Sequence, residues 1–218
     1  MTSRALVLPL MLLVALAVRP IPAAAHRLDE YLQATRLAID VDRIGVEIDL
    51  TAGVGVAPAI VQSIDTNGDG RISAAEGETY ARRVLSEVVL TVDGRRAPLS
   101  LLDCQFPDAG DMMLGVGLIR VRGSADLPAA GAGSHHASYL NDHRPETSVY
   151  LANALVPSDR RLQIDGQRRD VAQRGLTIDY RFAPDANADR GWWLAAALTM
   201  AIGLAAVRRR AIPLATRG

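Results

Sequence analysis

The feature that most constrains the fold is an alternation of apolar and polar residues in two adjacent runs, residues 31–41 and 44–50. In the first run, the apolar residues Tyr31, Leu37, Ile39 and Val41 alternate with the polar residues Arg36, Asp40 and Asp42. In the second run, Ile44, Val46 and Ile48 alternate with Glu47 and Asp49. Side chains of a strand point in turn to its two faces, so this pattern is typical of a strand with one buried face. The short turn between the runs predicts an antiparallel hairpin.

Further strand candidates are separated by Gly, Pro, Asp and Asn. They cover residues 88–92, 99–101, 113–121, 135–140, 149–156, 162–164 and 176–182. Asp93-Gly94 predicts a tight hairpin turn between the first two of these, because both turn positions favour positive φ. The stretch 123–134, rich in Ala and Gly, predicts a loop. Seven or more short strands predict a mainly β domain over residues 26–182, an antiparallel sandwich or a small barrel.

The charge balance argues against nucleic-acid binding. The chain has 24 Arg, no Lys and 24 acidic residues, which gives a formal net charge of zero. A basic patch of the kind that contacts phosphates is not indicated. Cys104 is the single cysteine, so no internal disulfide is possible.

Residues 1–25 have the pattern of a secretory signal peptide. Arg4 precedes an apolar segment from Ala5 to Val18, and small residues follow it up to Ala25. We expect cleavage after Ala25, which leaves His26 as the mature N-terminus. An uncleaved anchor is the alternative, but the apolar run is shorter than the roughly 20 residues that a bilayer span needs.

Residues 192–207 form a second apolar run. Trp192-Trp193 opens it and three Arg residues, 208–210, close it. Interfacial Trp and a cytoplasmic Arg cluster are typical of a single-pass membrane helix. The sequence thus predicts a linker at 183–191, a transmembrane helix at 192–207 and a cytoplasmic tail at 208–218. A buried core helix and a removable sorting tail are the alternatives.

Residues 57–85 interrupt the strands with a helical segment, a polar loop and a second helical segment. The loop carries side-chain oxygens at its positions one, three, five, nine and twelve, and a backbone carbonyl is available at position seven. These residues are Asp65, Asn67, Asp69, Ser73, Glu76 and, for the carbonyl, Arg71. Calcium is a hard cation that takes six to eight oxygen ligands, with a bidentate Glu at position twelve and an intervening Gly for the turn.

This loop resembles the EF-hand family of calcium-binding proteins, and Gly70 and Ile72 also match the family pattern. The resemblance implies Ca²⁺ as the bound ion, with Ser73 acting through a water molecule. EF-hands normally pair, and this sequence has one such loop. We therefore expect Ile72 to pack on the β domain, or a second copy of the chain to supply the partner. Calcium is expected to be near saturation outside the cytoplasm. We therefore expect the bound ion to stabilise the fold and not to act as a signal.

The four histidines offer an alternative function in nickel, cobalt or copper handling. They are His26, at the expected mature N-terminus, and His135, His136 and His143. Imidazole suits these metals. Residues 26–33 and 148–157 resemble the exported N-terminal domain of bacterial membrane proteins related to the hydrogenase and urease accessory group, which implies an accessory role in metal transport.

The sequence contains no nucleophile elbow, metalloprotease helix or phosphate loop, so we expect no enzymatic activity. We expect a periplasmic domain tethered to the cell membrane by one helix. A membrane protein or a second copy of the chain is the expected partner.

Overall fold

A computed structural model describes residues 29–127 and 131–183. Ten strands form two five-stranded sheets, as the mainly β prediction requires. The strands are β1 (Tyr31–Ile39), β2 (Arg43–Ala52), β3 (Val88–Val92), β4 (Arg95–Arg96), β5 (Ser100–Gln105), β6 (Ile119–Asp126), β7 (Gly133–Asn141), β8 (Ser148–Ala154), β9 (Leu162–Arg169) and β10 (Gly175–Phe182).

The first sheet has the strand order β5-β6-β2-β1-β8. The predicted hairpin is confirmed, with Tyr31 opposite Ala52 and Ile39 opposite Ile44. The pairing of β1 with β8 is parallel, and this differs from the antiparallel architecture expected from sequence. A parallel pair needs a long connection between its strands, and here the chain between β1 and β8 includes most of the domain.

The second sheet has the order β4-β3-β7-β10-β9, and its strand pairs are antiparallel. The inward residues of both sheets belong to one buried cluster. Ile48 and Val121 contribute from the first sheet, and Tyr139 and Ile178 contribute from the second. The two sheets therefore pack face to face around a single core.

Three helices accompany the strands in the described ranges: α1 (Ala57–Ile64), α2 (Ala74–Ser86) and α3 (Ala109–Met113). Helix α2 packs against β5 and β3, which belong to different sheets. A β-carbon on Gly123 would lie 2.9 Å from a methyl carbon of Leu85, so this glycine leaves room for the helix side chain. Helix α2 thus fills a side of the core between the sheets.

Three local predictions are wrong in detail. Asp93 and Gly94 do adopt positive φ, 49° and 77°, but their turn joins β3 to the two-residue strand β4. Residues 99–101 instead lead into β5 in the first sheet.

The predicted strand 113–121 begins at Ile119, because the preceding residues finish α3 and turn at Gly115, whose φ is 72°. The predicted loop 123–134 is shorter, because β6 continues to Asp126 and β7 starts at Gly133.

The signal peptide at 1–25, the helix at 192–207 and the tail at 208–218 lie outside the described residues, as do His26 and most of the linker 183–191. Within the described ranges, no helix is long and apolar enough to cross a membrane.

Candidate functional site: the loop between α1 and α2

The predicted ion-binding residues lie in one loop, residues 65–76, which runs from the end of α1 into the first turn of α2. Pro58 lies in the first turn of α1, where its missing N–H costs no helical hydrogen bond. Ile64 is buried before the loop, and Ile72 packs against the core within it. These two side chains attach the loop to the β domain, as expected for an unpaired loop.

The Asp65 carboxylate organises the turn at the start of the loop. Its Oδ1 accepts hydrogen bonds from the N–H groups of Gly68 (2.8 Å) and Asp69 (3.2 Å), and its Oδ2 accepts one from Gly70 (2.8 Å). Gly68 and Gly70 have φ angles of 71° and 79°, a backbone conformation that residues with a β-carbon rarely adopt. The two glycines therefore let three successive amides converge on one carboxylate.

Asn67 and Asp69 continue this arrangement. The Asn67 Oδ1 accepts a hydrogen bond from the Asp69 N–H (3.0 Å), and the Asp69 Oδ1 accepts one from the Arg71 N–H (2.8 Å). The Asn67 amide nitrogen also donates to the Asp69 Oδ2 (3.1 Å). The oxygen-bearing side chains at the first, third and fifth loop positions thus all fold onto the loop backbone.

Glu76 closes the loop from its far end. Its Oε2 accepts hydrogen bonds from the N–H (3.0 Å) and the hydroxyl (2.7 Å) of Ser73. The Ser73 Oγ accepts a hydrogen bond from the Glu76 N–H (3.3 Å), which completes a capping box at the start of α2. Its Oε1 accepts from the Thr66 N–H (2.8 Å), the Thr66 hydroxyl (3.0 Å) and the Asn67 N–H (3.2 Å). The last carboxylate of the loop is therefore held against the second and third loop residues.

These hydrogen bonds lower the pKa of Glu76 to about 2, with the largest contribution from Ser73 and smaller ones from Thr66 and Asn67. The group is therefore anionic throughout the physiological pH range. The loop offers three carboxylates, one amide oxygen, one hydroxyl and the Arg71 carbonyl, all of them hard oxygen donors.

Within the described part of the chain, no group of three or more His, Cys, Asp or Glu side chains is arranged to hold a metal ion. In the loop, the three carboxylates are directed to backbone amides and hydroxyls. A cation that used Asp65, Asp69 and Glu76 together must displace some of these hydrogen bonds. The donor set fits calcium chemically, and binding requires a local rearrangement of side chains.

A buried polar cluster joins α2 to the β domain. The Tyr80 hydroxyl lies 3.0 Å from the Tyr31 hydroxyl and 3.0 Å from the His143 Nε2. The other ring nitrogen of His143 contacts the Glu87 carboxylate. Burial lowers the pKa of His143 below its ordinary value, because the charged ring is poorly solvated there. Sequence reasoning missed this cluster, and the helical position of Tyr80 was its only sequence signal.

His135 lies on β7, where its ring stacks on Tyr180 with centroids 5.4 Å apart. Its Nδ1 contacts the Asp93 carboxylate at 2.8 Å and its Nε2 contacts the Gly131 carbonyl at 2.9 Å. Both partners are acceptors, so the doubly protonated ring satisfies both contacts. Asp93 accordingly raises the pKa of His135 above its ordinary value.

The other histidines have separate surroundings. His136 contacts Asp179 (2.8 Å) and is half exposed, whereas His143 is buried beyond the far end of β7. His135 and Asn141, near the two ends of β7, are about 20 Å apart at the usual rise of a strand. The structure thus does not bring His135 and His143 together.

Comparison with protein-family models, curated proteins and solved structures finds no match.

Proposed function

We propose that the protein binds one calcium ion in the loop 65–76, in the manner of an EF-hand, and that the ion stabilises the domain. The ligands are Asp65, Asn67, Asp69, the Arg71 carbonyl, Ser73 through water, and Glu76. The observation that carries the proposal is the position of the Glu76 carboxylate, which reaches back to the N–H groups of Thr66 and Asn67. The last ligand of the sequence pattern is thereby adjacent to the first ones.

Charge and donor chemistry support calcium in particular. The low pKa of Glu76 keeps it available as an anion, and a bidentate Glu favours calcium over the smaller, octahedral magnesium. Extracellular modules of this type bind calcium at about 10⁻⁴ to 10⁻³ M. We expect an affinity in this range, because the loop supplies three carboxylates and its amides are already hydrogen-bonded.

The function we infer is structural. An ion held by Asp65 at the end of α1 and by Glu76 in the first turn of α2 links the two helices. Helix α2 is in turn held on the β domain by Tyr80 and by Leu85. Ion binding therefore restricts the N-terminal end of α2, which the buried polar cluster around Tyr80 does not contact.

The cellular setting is proposed from sequence alone. We propose a periplasmic domain, released from a signal peptide at 1–25 and tethered by a transmembrane helix at 192–207. A membrane protein or a second copy of the chain is the proposed partner. No enzymatic activity is proposed, and the transition-metal function of the histidines stays a prediction from sequence.

The test is thermal unfolding of the full-length chain without divalent ions and with 10 mM calcium. For an affinity of about 10⁻⁴ to 10⁻³ M, the ion adds roughly 1.4 to 2.7 kcal/mol to the free energy of unfolding. In a domain of this size we expect Tm to rise by about 3 to 10 °C. The same concentration of magnesium is expected to give a smaller rise.

Glu76→Gln is expected to abolish the calcium-dependent rise in Tm. Glu78→Gln is the matched control, since it removes one charge from the same helix at an exposed site paired with Arg82. Each variant is compared with itself with and without calcium, which separates ion binding from the loss of the Ser73 capping contact. Asp69→Asn serves if Glu76→Gln does not fold. A calcium-dependent rise that survives in both loop variants refutes the assignment.

A further inference from the structure

A cavity of about 450 Å³ lies between the two sheets, at the end of β3 that is remote from α2. The turn at Asp93 and the strand β4 form one side of it, and Leu127, just after β6, forms another. Its volume falls in the range of about 300 to 1,000 Å³ that is typical of small-molecule sites. It is separate from the loop 65–76.

Tyr180 lines this cavity and is 1% exposed. Its hydroxyl is buried and has no hydrogen-bond partner among the described residues. Unpartnered buried hydroxyls are uncommon in proteins. Burial and the nearby charge of Asp93 raise the pKa of Tyr180 to about 12, so the group stays protonated and can donate a hydrogen bond.

The charges around the cavity are unbalanced. Asp93 is already bound by the His135 ring and by the His136 N–H. On β4, Arg95 and Arg96 also line the cavity, and their guanidinium groups pair with no carboxylate in the described part of the chain. The lining includes one further carboxylate, Asp126.

With His135 protonated, three cationic and two anionic side chains of the described residues line the cavity. One positive charge is therefore in excess. The remaining wall is largely apolar and includes Val92, Pro98 and Leu127. An apolar cavity with a few polar groups and a net positive charge suits a small molecule that has an apolar body and an anionic group.

We propose that this cavity binds a small monocarboxylate with a compact apolar body. The carboxylate accepts a hydrogen bond from the Tyr180 hydroxyl and is attracted by Arg95 and Arg96, while the apolar body contacts Val92 and Leu127. This role is independent of calcium binding at the loop 65–76.

The test uses 4-fluorobenzoate and its neutral analogue 4-fluorobenzamide as probes in fluorine NMR titrations of the full-length chain. We expect the carboxylate to bind about tenfold more tightly than the amide, a difference typical of one charge-assisted hydrogen bond. Tyr180→Phe is expected to weaken 4-fluorobenzoate binding by about fivefold to tenfold while keeping the ring.

The double variant Arg95→Gln/Arg96→Gln changes only exposed side chains, so folding is expected to persist. It is expected to remove the preference for the carboxylate over the amide. Arg174→Gln is the control, because this Arg pairs with Asp142 next to the opposite end of β7. Equal binding of the two probes, unchanged affinity in Tyr180→Phe, or no binding at 5 mM overturns the proposal.

Discussion

The Tyr80 hydroxyl is the contact whose removal tests most directly how α2 is attached to the β domain. It bridges the Tyr31 hydroxyl and the His143 Nε2 at 3.0 Å each, and all three side chains are buried. Tyr80→Phe keeps the ring in place. The variant leaves the Tyr31 hydroxyl and one nitrogen of His143 without this partner, in a region that water does not reach.

Each buried polar atom left without a partner costs about 1 to 3 kcal/mol. Two such atoms suggest a loss of roughly 2 to 4 kcal/mol in the free energy of unfolding, since some relaxation is expected. In a domain of this size the corresponding fall in Tm is about 5 to 15 °C.

The assay is urea unfolding of the wild type, Tyr80→Phe and Tyr180→Phe, followed by circular dichroism. Tyr180→Phe is the matched control, because it removes a buried hydroxyl that has no partner among the described residues. We expect it to lie within about 0.5 kcal/mol of the wild type, or above it. Tyr31→Phe combined with Tyr80→Phe is expected to cost less than the sum of the single changes, because the two hydroxyls contact each other.

The reasoning is refuted if Tyr80→Phe and Tyr180→Phe change the free energy of unfolding by the same amount. It is also refuted if the effects of Tyr31→Phe and Tyr80→Phe are simply additive. Either result means that the hydrogen bonds of the Tyr80 hydroxyl do not contribute to the attachment of α2 as described.

Two further predictions concern the same helix and its contacts. Burial lowers the pKa of His143 in the folded protein. As the pH falls, this histidine therefore takes up its proton at a higher pH in the unfolded chain than in the folded one. The free energy of unfolding should therefore rise between pH 5 and pH 7, and His143→Gln should remove this component of the slope. In Gly77→Ala, the new β-carbon would lie 2.8 and 2.9 Å from ring carbons of Phe106. Overpacking of about 1 to 3 kcal/mol outweighs the roughly 1 kcal/mol gained in helix propensity, so thermal unfolding should show a lower Tm.

Each of these predictions has an internal comparison. Other ionisable groups titrate in both the wild type and His143→Gln, so the difference between their pH slopes isolates His143, and identical slopes contradict the prediction. Gly110→Ala in α3 is the control for Gly77→Ala, because no described atom outside the adjacent residues and the helix's own backbone lies within 4 Å of the added carbon. A gain of stability at position 77 as large as that at position 110 contradicts the packing argument.

Sequence patterns predicted the local parts of this fold well. The alternation over residues 31–50 predicted β1, β2 and their pairing, because most inward residues of these strands are apolar. Gln33 and Thr35 are the exceptions, since both are polar and buried on the inner face of β1. The loop pattern predicted a sharp turn at Gly70, and this glycine has a φ of 79°. Both kinds of signal act over a few residues, where steric preference and burial of one face are sufficient.

The sequence was less informative where partners are distant. The parallel pairing of β1 with β8 joins residues more than a hundred positions apart, and no local pattern selects it. The pattern at 113–121 was apolar enough for a strand, but Gly115 turns the chain and only the second part pairs with β2. Asp93-Gly94 correctly predicted a turn. The strand after this turn that pairs with β3 is β4, whereas residues 100 and 101 pair with β6 in the other sheet, and the local sequence does not distinguish these outcomes.

The sequence by itself determined the mainly β character, the β1–β2 hairpin and the oxygen-rich loop, because each follows from the conformational preferences of neighbouring residues. Only the tertiary structure decided which strands pair across the domain, that Tyr31, Tyr80 and His143 meet, and that a cavity forms beside Tyr180. These features require segments far apart in the chain to come together, and that outcome depends on the packing of the whole core.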